Sequence, residues 1–332
     1  MDRRSFVGFG AASLAALAVP GGATEPGRLA ALLGGTRVDE EFVDWLERGG
    51  HGLAALPTER RAHAHRLVDA QLATVRALIT GGRYDGRTGR RLHRLAAALA
   101  TTSGWHRFDQ GRHPAAARLW ELALQSAHAA GDRDRCAGVL ADAAYQSTWL
   151  GRPRTAAARL DYALAGTRHP TARALLLLRR ARAHAALGDP AACRHDVAAA
   201  ELSLSAPAPD PAPAWCGWMG PADLAVDSGR CLLDLGRPAA ARARIAEGLA
   251  QLPPARAKTR GLFLAYQARA HLRTGEVEQA LAAATESLDL AARIGAPRCA
   301  APARGLAPAF APHRRLAGVP ELLARLRGPD PA

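Results

Sequence analysis

The chain has 332 residues, 48% of them apolar but only 5% aromatic, and a formal charge of +14 carried almost wholly by arginine, Lys258 being the single lysine. Alanine and leucine must therefore fill the core, which favours close-packed helices over sheets of β-branched and aromatic residues and excludes a wholly disordered chain. No uninterrupted apolar run reaches the roughly 20 residues of a spanning helix, so a multi-pass membrane protein is excluded as well.

Residues 1–27 stand apart from the rest of the chain. The stretch DRRSFVGFGAASLAALAVPGGA at 2–23 joins a twin arginine, Phe6, an apolar run from Val7 to Val19 and a small-residue end at Gly21-Gly22-Ala23. It resembles a twin-arginine export signal. Only two residues precede the arginines, and one is the acidic Asp2, which weighs against that reading. From 28 to 102 the pattern predicts a helical cap. Asp39, Glu40 and Glu41 open a helix through Arg48, with acids at its positive end. Pro57-Thr58 starts a long helix to about Thr80, and GGRYDGRTG at 81–89 separates it from the next. Such a cap shields the apolar face of a first repeat.

Repetition governs residues 103–295. A glycine closes one helical run and opens another at Gly111, Gly151, Gly188, Gly236 and Gly275, at spacings of 40, 37, 48 and 39 residues. The long interval holds the Pro-rich insert SAPAPDPAPAWCGWMG at 205–220; removing about ten of its residues restores the period. Proline comes next at Pro114, Pro153, Pro190 and Pro238, suited to a first helical turn. Counted from each glycine, small residues recur at fixed places. Gly104, Ala144, Ala181, Gly229 and Ala268 stand at −7. Ala116, Ala156, Cys193, Ala241 and Ala280 stand at +5, and Ala123, Ala163, Ala200, Gly248 and Ser287 at +12. Leucine stands at +13 in every copy except Glu201. Small residues on both helices of a pair permit close approach, and leucine fills the seam. The expected unit is a helix–turn–helix stacked on copies of itself, ended at 296–332 by a capping segment whose Val319 to Leu326 forms a closing helix.

This pattern resembles tetratricopeptide repeats with somewhat long helices, GEVEQA at 275–280 followed by Ser287-Leu288 being the clearest copy. More specifically, SGWHRFDQGRHPAAARLWELALQSAHAAGD (103–132), YQSTWLGRPRTAAARL (145–160), ARAHAALGDPAAC (181–193) and SGRCLLDLGRPAAA (228–241) resemble the C-terminal repeat domain of actinobacterial helix-turn-helix regulators of the xenobiotic-response-element type. The resemblance covers roughly 28–327. It implies an all-α tetratricopeptide right-handed superhelix, an α-solenoid. In that family a DNA-binding head precedes the repeats, and about 27 residues are too few for one. Specific DNA binding by this chain alone is therefore not expected. Many family members carry an RR-x-F-[LV]-G stretch at the head–repeat junction, so residues 1–27 read as a junction or a signal. The cytoplasm is the favoured location, with twin-arginine export the alternative.

Little in the sequence suggests chemistry. No phosphate-cradling loop, nucleophile elbow, dinucleotide fingerprint or H-E-x-x-H occurs. His63 and His65 fall on different sides of a helix, and His106, Asp109 and His113 straddle Gly111, so no metal site is expected. Cys136, Cys193, Cys216, Cys231 and Cys299 are odd in number, widely spaced and without a C-x-x-C pair, and read as core. The arginines suit an anionic partner, or else lie scattered over solvated helix faces. No enzyme and no cofactor is expected.

A groove is. At 100° per residue, offsets −9, −6 and −2 share one side of each first helix. The −6 ladder reads Trp105, Tyr145, Arg182, Arg230 and Arg269. Beside it stand Asp142, Arg179, Asp227 and Tyr266 at −9, and Asp109, Trp149, Asp234 and Arg273 at −2. One reading is a ligand groove, aromatic at one end and Arg-rich at the other, for an extended peptide or a small ligand carrying carboxylate or phosphate. The other is structural: Asp142, Asp227 and Asp234 pair with arginines of neighbouring repeats and hold the stack. Trp215, Trp218 and Met219 either form a flap over the groove or anchor the insert. The function expected first is a non-enzymatic regulatory module binding a protein, peptide or small signalling ligand, tied to transcription through a partner. An exported protein-binding scaffold comes second and a nonspecific nucleic-acid binder third.

Overall fold

Aspartate and glycine punctuate the chain where they should. In this computed structural model, which describes residues 37–54, 58–208, 210–295 and 297–327 (side chains of 51–54 and 58–63 excepted), the Asp39 carboxylate accepts the Phe42 amide at 2.9 Å. That bond caps α1 (Glu40–Ala54), which packs on α2 (Thr58–Gly81). The signal-like or junction segment 1–27, the start of the cap to 36, Pro57 and residues 328–332 lie outside the described residues. Asp85 caps α3 (Gly86–Asp109) through the Thr88 amide at 2.8 Å, and Asp132 caps α5 (Arg133–Trp149) through the Arg135 amide at 2.9 Å. Between these two lies α4 (His113–Ala129). The chain continues as α6 (Pro153–Gly166), α7 (Pro170–Ala186), α8 (Pro190–Ser205), α9 (Pro221–Asp234), α10 (Pro238–Gln251), α11 (Ala257–Arg273) and α12 (Val277–Ile294). Every regular element among the described residues is helical, and none is long and apolar enough to cross a membrane.

The five glycines that set the repeat frame all have positive φ, between +69° and +82°. Four of them share one closure. At Gly188, for example, the Asp189 amide reaches back to the His184 carbonyl and the Gly188 amide to that of Ala185, both at 3.0 Å. Those two bonds satisfy carbonyls the helix end would leave open, and only glycine takes the left-handed turn without strain. Gly131 and Gly295 close helices in the same backbone region but end the second helix of a pair, outside the repeat frame.

The described chain forms two compact units. The first comprises residues up to 107 with 113–139, the second 108–112 with everything from 140 onward. In the second, α7/α8, α9/α10 and α11/α12 pack as consecutive pairs, with α6 on α7 and α10 on α11, the arrangement of a helical-repeat solenoid. All fifteen residues at offsets −7, +5 and +12, taken over both units, are buried. The glycines among them show why. A Cβ on Gly229 would fall 2.6 Å from Ile245 Cγ1 and 3.0 Å from the Ala241 carbonyl; one on Gly248 would fall 2.5 Å from Val226 Cγ2 and 2.6 Å from the Ala222 carbonyl. In the first unit Gly104 lies as close under the fully buried Trp120 ring. The seam is less uniform: Leu164, Leu249 and Leu288 are buried at +13, Leu124 is half-buried and Glu201 is exposed. Cys193, Cys216, Cys231 and Cys299 are buried and Cys136 is half-buried, all five as free thiols.

Beyond the repeats the chain folds back. Helix α13 (Pro297–Arg304) packs on α11 and α12, and α14 (Ala307–Phe310) leads through a 3-10 turn (Ala311–His313) to α15 (Val319–Leu326). Cys299, Ala303, Phe310, Val319 and Leu322 join the core of the last helix pair, so this segment packs onto it.

Gly248→Ala is expected to destabilise the protein by about 1–3 kcal/mol, because the added methyl meets backbone that cannot yield. Urea melts provide the check, with Ala250→Gly on the exposed side of the same helix α10 as a control for propensity alone, worth about 1 kcal/mol.

Candidate functional site

Within the second unit, the first helices α5, α7, α9 and α11 turn their −6 and −2 positions, and α7 and α11 also their −9 positions, toward one cleft of about 1050 Å³. Tyr145 and Trp149 line it from α5, Arg179 and Arg182 from α7, Arg230 and Asp234 from α9, and Tyr266, Arg269 and Arg273 from α11. Ala301, Pro302, Gly305, Leu306, Pro308 and Ala309 of the C-terminal cap complete the lining. That contribution has no signal in the repeat pattern, since it comes from residues outside the repeats.

The acids do not line the cleft as freely as the arginines. Asp142 on α5 pairs with Arg179 on α7, and Arg182 on α7 pairs with Asp227 on α9, each at 3.0 Å. Asp234 takes Arg230 of its own helix at 3.0 Å and Arg269 of α11 at 3.5 Å. Each successive pair of first helices is thus joined by one Asp–Arg rung, while the arginines keep a face on the cleft. Among the sequence-predicted residues, Asp142 and Asp227 stand behind the wall as partners. Burial lifts the Asp227 carboxyl above the ordinary range, and the Arg182 guanidinium draws it back only in part.

Aromatic rings separate the guanidiniums. The Arg179 and Arg182 guanidiniums lie over the Tyr145 ring at 5.4 and 5.8 Å, and those of Arg182 and Arg230 over Tyr266 at 5.6 and 4.7 Å. Each such contact, desolvated as here, contributes about 1–2 kcal/mol. Burial pushes the Tyr266 hydroxyl up to about 12, so it stays a neutral donor.

The aromatic end of the predicted groove is already filled. Arg298 of α13, 6% exposed in its side chain, lies over Phe108 at 4.7 Å, Trp149 at 5.2 Å and Tyr145 at 5.8 Å. Its Nε donates to Asp109 at 2.9 Å, and a terminal nitrogen donates to the Tyr145 hydroxyl at 3.3 Å. Lys258, the lone lysine, also pairs with Asp109. Burial opposes the Asp109 charge, but the two cations beside it hold its carboxyl below the usual carboxylate range. Asp109 is therefore the anchor of the C-terminal cap and not a cleft residue. Sequence reasoning missed Arg298; the only hint is an arginine directly after Pro297 in an otherwise Ala- and Pro-rich stretch.

Two further predicted groups fall elsewhere. Trp105 belongs to the first unit, where its ring meets Trp120 edge-on at 5.6 Å. Trp215, Trp218 and Met219 line no part of the cleft. Trp218 donates to the Trp215 carbonyl at 2.9 Å and lies under the Arg256 guanidinium at 5.5 Å, while Arg256 grips Asp223 of α9 through two bonds of 2.7 and 2.8 Å. Met219 and Cys216 are buried. These contacts tie the insert to α9 and to Arg256 before α11, the arrangement of the anchoring alternative. Among the described residues no three His, Cys, Asp or Glu side chains gather to hold a metal. No protein-family model and no curated protein matches the chain.

Asp109→Asn is expected to cost about 3–5 kcal/mol at pH 7, since it leaves Lys258 and Arg298 without their counter-charge. Because the folded carboxyl is held low, its contribution is full above the unfolded value of about 3.9 and fades as pH falls through the folded one. Urea melts at pH 3, 5 and 7 should show the gap between wild type and variant constant at 5 and 7 and narrowed at 3.

Proposed function

We propose that this chain is a tetratricopeptide-type α-solenoid that works by binding and not by catalysis. It takes a short peptide, a small signalling ligand or a segment of a partner protein in the cleft of its second unit, and it acts on transcription through that partner. The observation that carries this reading is the convergence of side chains at matching offsets from four successive first helices on one cleft of about 1050 Å³, which is the size of small-ligand sites. The ion-pair rungs do not compete with this reading. They fix guanidiniums in place with one face still open to the cleft, and preorganised donors lose little freedom when a ligand arrives.

A second reading, export as a protein-binding scaffold, is favoured by Arg3-Arg4-Ser5-Phe6 and the apolar run behind it. Amino-terminal sequencing of the native protein separates the two, because an extracellular chain starting near Thr24 assigns export.

Affinity capture from native lysate tests the cleft. Wild type is compared with Arg230→Ala/Arg269→Ala after both are shown to melt cooperatively, and bound molecules are identified by mass spectrometry. A ligand held by wild type and depleted at least about tenfold on the variant is the expected result. Equal retention on both proteins sinks the cleft as the functional site.

A further inference from the structure

The cleft holds more positive charge than its own carboxylates neutralise. Five guanidiniums line it, those of Arg179, Arg182, Arg230, Arg269 and Arg273. Three carboxylates answer them: Asp142 takes Arg179, Asp227 takes Arg182, and Asp234 is divided between Arg230 and Arg269. Arg273 is exposed, and no carboxylate of the described residues pairs with it. Among the described residues the excess is two charges: one is Arg273, and the other is shared by Arg230 and Arg269 over the single Asp234. Arg269 and Arg273 are one helical turn apart, so their side chains leave the same face of the helix.

Polar groups in the cleft floor are also unanswered. Among the described residues the Tyr266 hydroxyl and the Arg182 Nε have no hydrogen-bond partner, although the two residues are only 1% and 9% exposed. Both line the cleft beside Arg230. The lining also includes apolar side chains, Leu272 on α11 and Pro302 and Leu306 from the C-terminal segment. Donors, excess positive charge and apolar side chains lining one cleft describe a site for an anion attached to an apolar body.

Resting on the reading of this cleft as a ligand site, we propose that its ligand is a small organic phosphate monoester. The phosphate dianion is held by Arg269 and Arg273, and the organic body lies against Leu272, Pro302 and Leu306. One carboxylate would answer only one of the two excess charges. A phosphate monoester carries close to two charges at neutral pH and offers three strong acceptor oxygens, enough for forks from two guanidiniums at once. The cleft far exceeds a bare phosphate ion, so the apolar lining calls for a body on the ester oxygen. Burial lowers the Arg269 proton affinity, the neighbouring Arg230 and Arg273 charges lower it further and Asp234 offsets only part of this; a bound dianion relieves the repulsion.

Calorimetric titration of the full chain tests this with four probes: phenyl phosphate, benzoate, phthalate and inorganic phosphate. Phenyl phosphate is expected to bind at one site per chain and to tighten about tenfold between pH 5 and 7.5, as its second proton leaves near pH 6. Among the described residues no histidine lines the cleft; the groups that face it are Asp234, Tyr145, Tyr266 and the five arginines, with Asp142 and Asp227 behind them. Any change in the lining itself is reported by benzoate, which is ionised throughout that range. Benzoate is expected to bind more weakly and without that pH trend. Arg273→Gln, at an exposed position with no ion-pair partner, should weaken phenyl phosphate at least about tenfold and leave the melting temperature unchanged. Phenyl phosphate binding that is absent, flat with pH, no tighter than benzoate, phthalate or inorganic phosphate, or indifferent to Arg273→Gln overturns the proposal. If benzoate or phthalate alone saturates the cleft and is lost in Arg230→Ala, the phosphate assignment falls while the ligand site stands. If no probe binds and lysate capture finds no cleft-dependent ligand, both fall.

Discussion

Close approach between paired helices is the constraint on which the rest depends. At Gly229 and Gly248 the facing helix lies so near that a single methyl would meet backbone oxygen within 3.0 Å. Such a seam admits one register only, because sliding either helix by a residue sets a larger side chain against the other's backbone. Once the register within a pair is fixed, every first helix of the second unit presents the same offsets in the same direction. The ladder of Arg, Asp and Tyr arises from that repetition, and no separate device is needed to aim those side chains into the cleft.

The polar wall is costly to bury and is assembled so that few charges stand alone. Arg179, Tyr145, Arg182, Tyr266 and Arg230 alternate guanidinium and phenol across the wall, with aspartates behind. A phenol ring spreads weak negative potential over its face, so it separates like charges without adding a formal one. The aspartates then supply the full charge at 3.0 Å. An array of this kind contributes little net stability compared with an apolar seam, since desolvation consumes most of the attraction. Its value lies in holding guanidiniums at set positions in a site that a ligand can enter.

Much of this fold was legible in the sequence because its signals are local and periodic. The left-handed glycines, the prolines at helix starts and the small residues at −7, +5 and +12 each describe one helix or one turn. Convergence of the −9, −6 and −2 positions was legible for the same reason, as it needs only the helical period. The sequence left open whether Asp142 and Asp227 meet ligand or arginine, because that depends on distances between helices 37 and 45 residues apart in the chain. It hid the roles of Arg298 and Lys258 altogether. Their partner Asp109 lies 189 and 149 residues away, and no periodicity links a cap to an early helix. It placed Trp105 on the same ladder as Tyr145, yet Trp105 packs within a different unit. The insert was readable only by composition, which does not say onto which arginine a tryptophan will settle.

The contact of Arg298 with Asp109 and three aromatic rings alters how the second unit comes apart. A linear repeat array touches only its neighbours, so it frays from its ends and its stability sums along the chain. Here the last helices hold residues of the earliest part of the unit, and opening either end breaks the same buried ion pair. The unit therefore has a closed contact map, with the slower, all-or-none folding that long-range contacts impose. It also has a fixed repeat number: a further helix pair inserted before residue 297 would carry Arg298 away from its aromatic box, so the array can vary in its loops but not in its length.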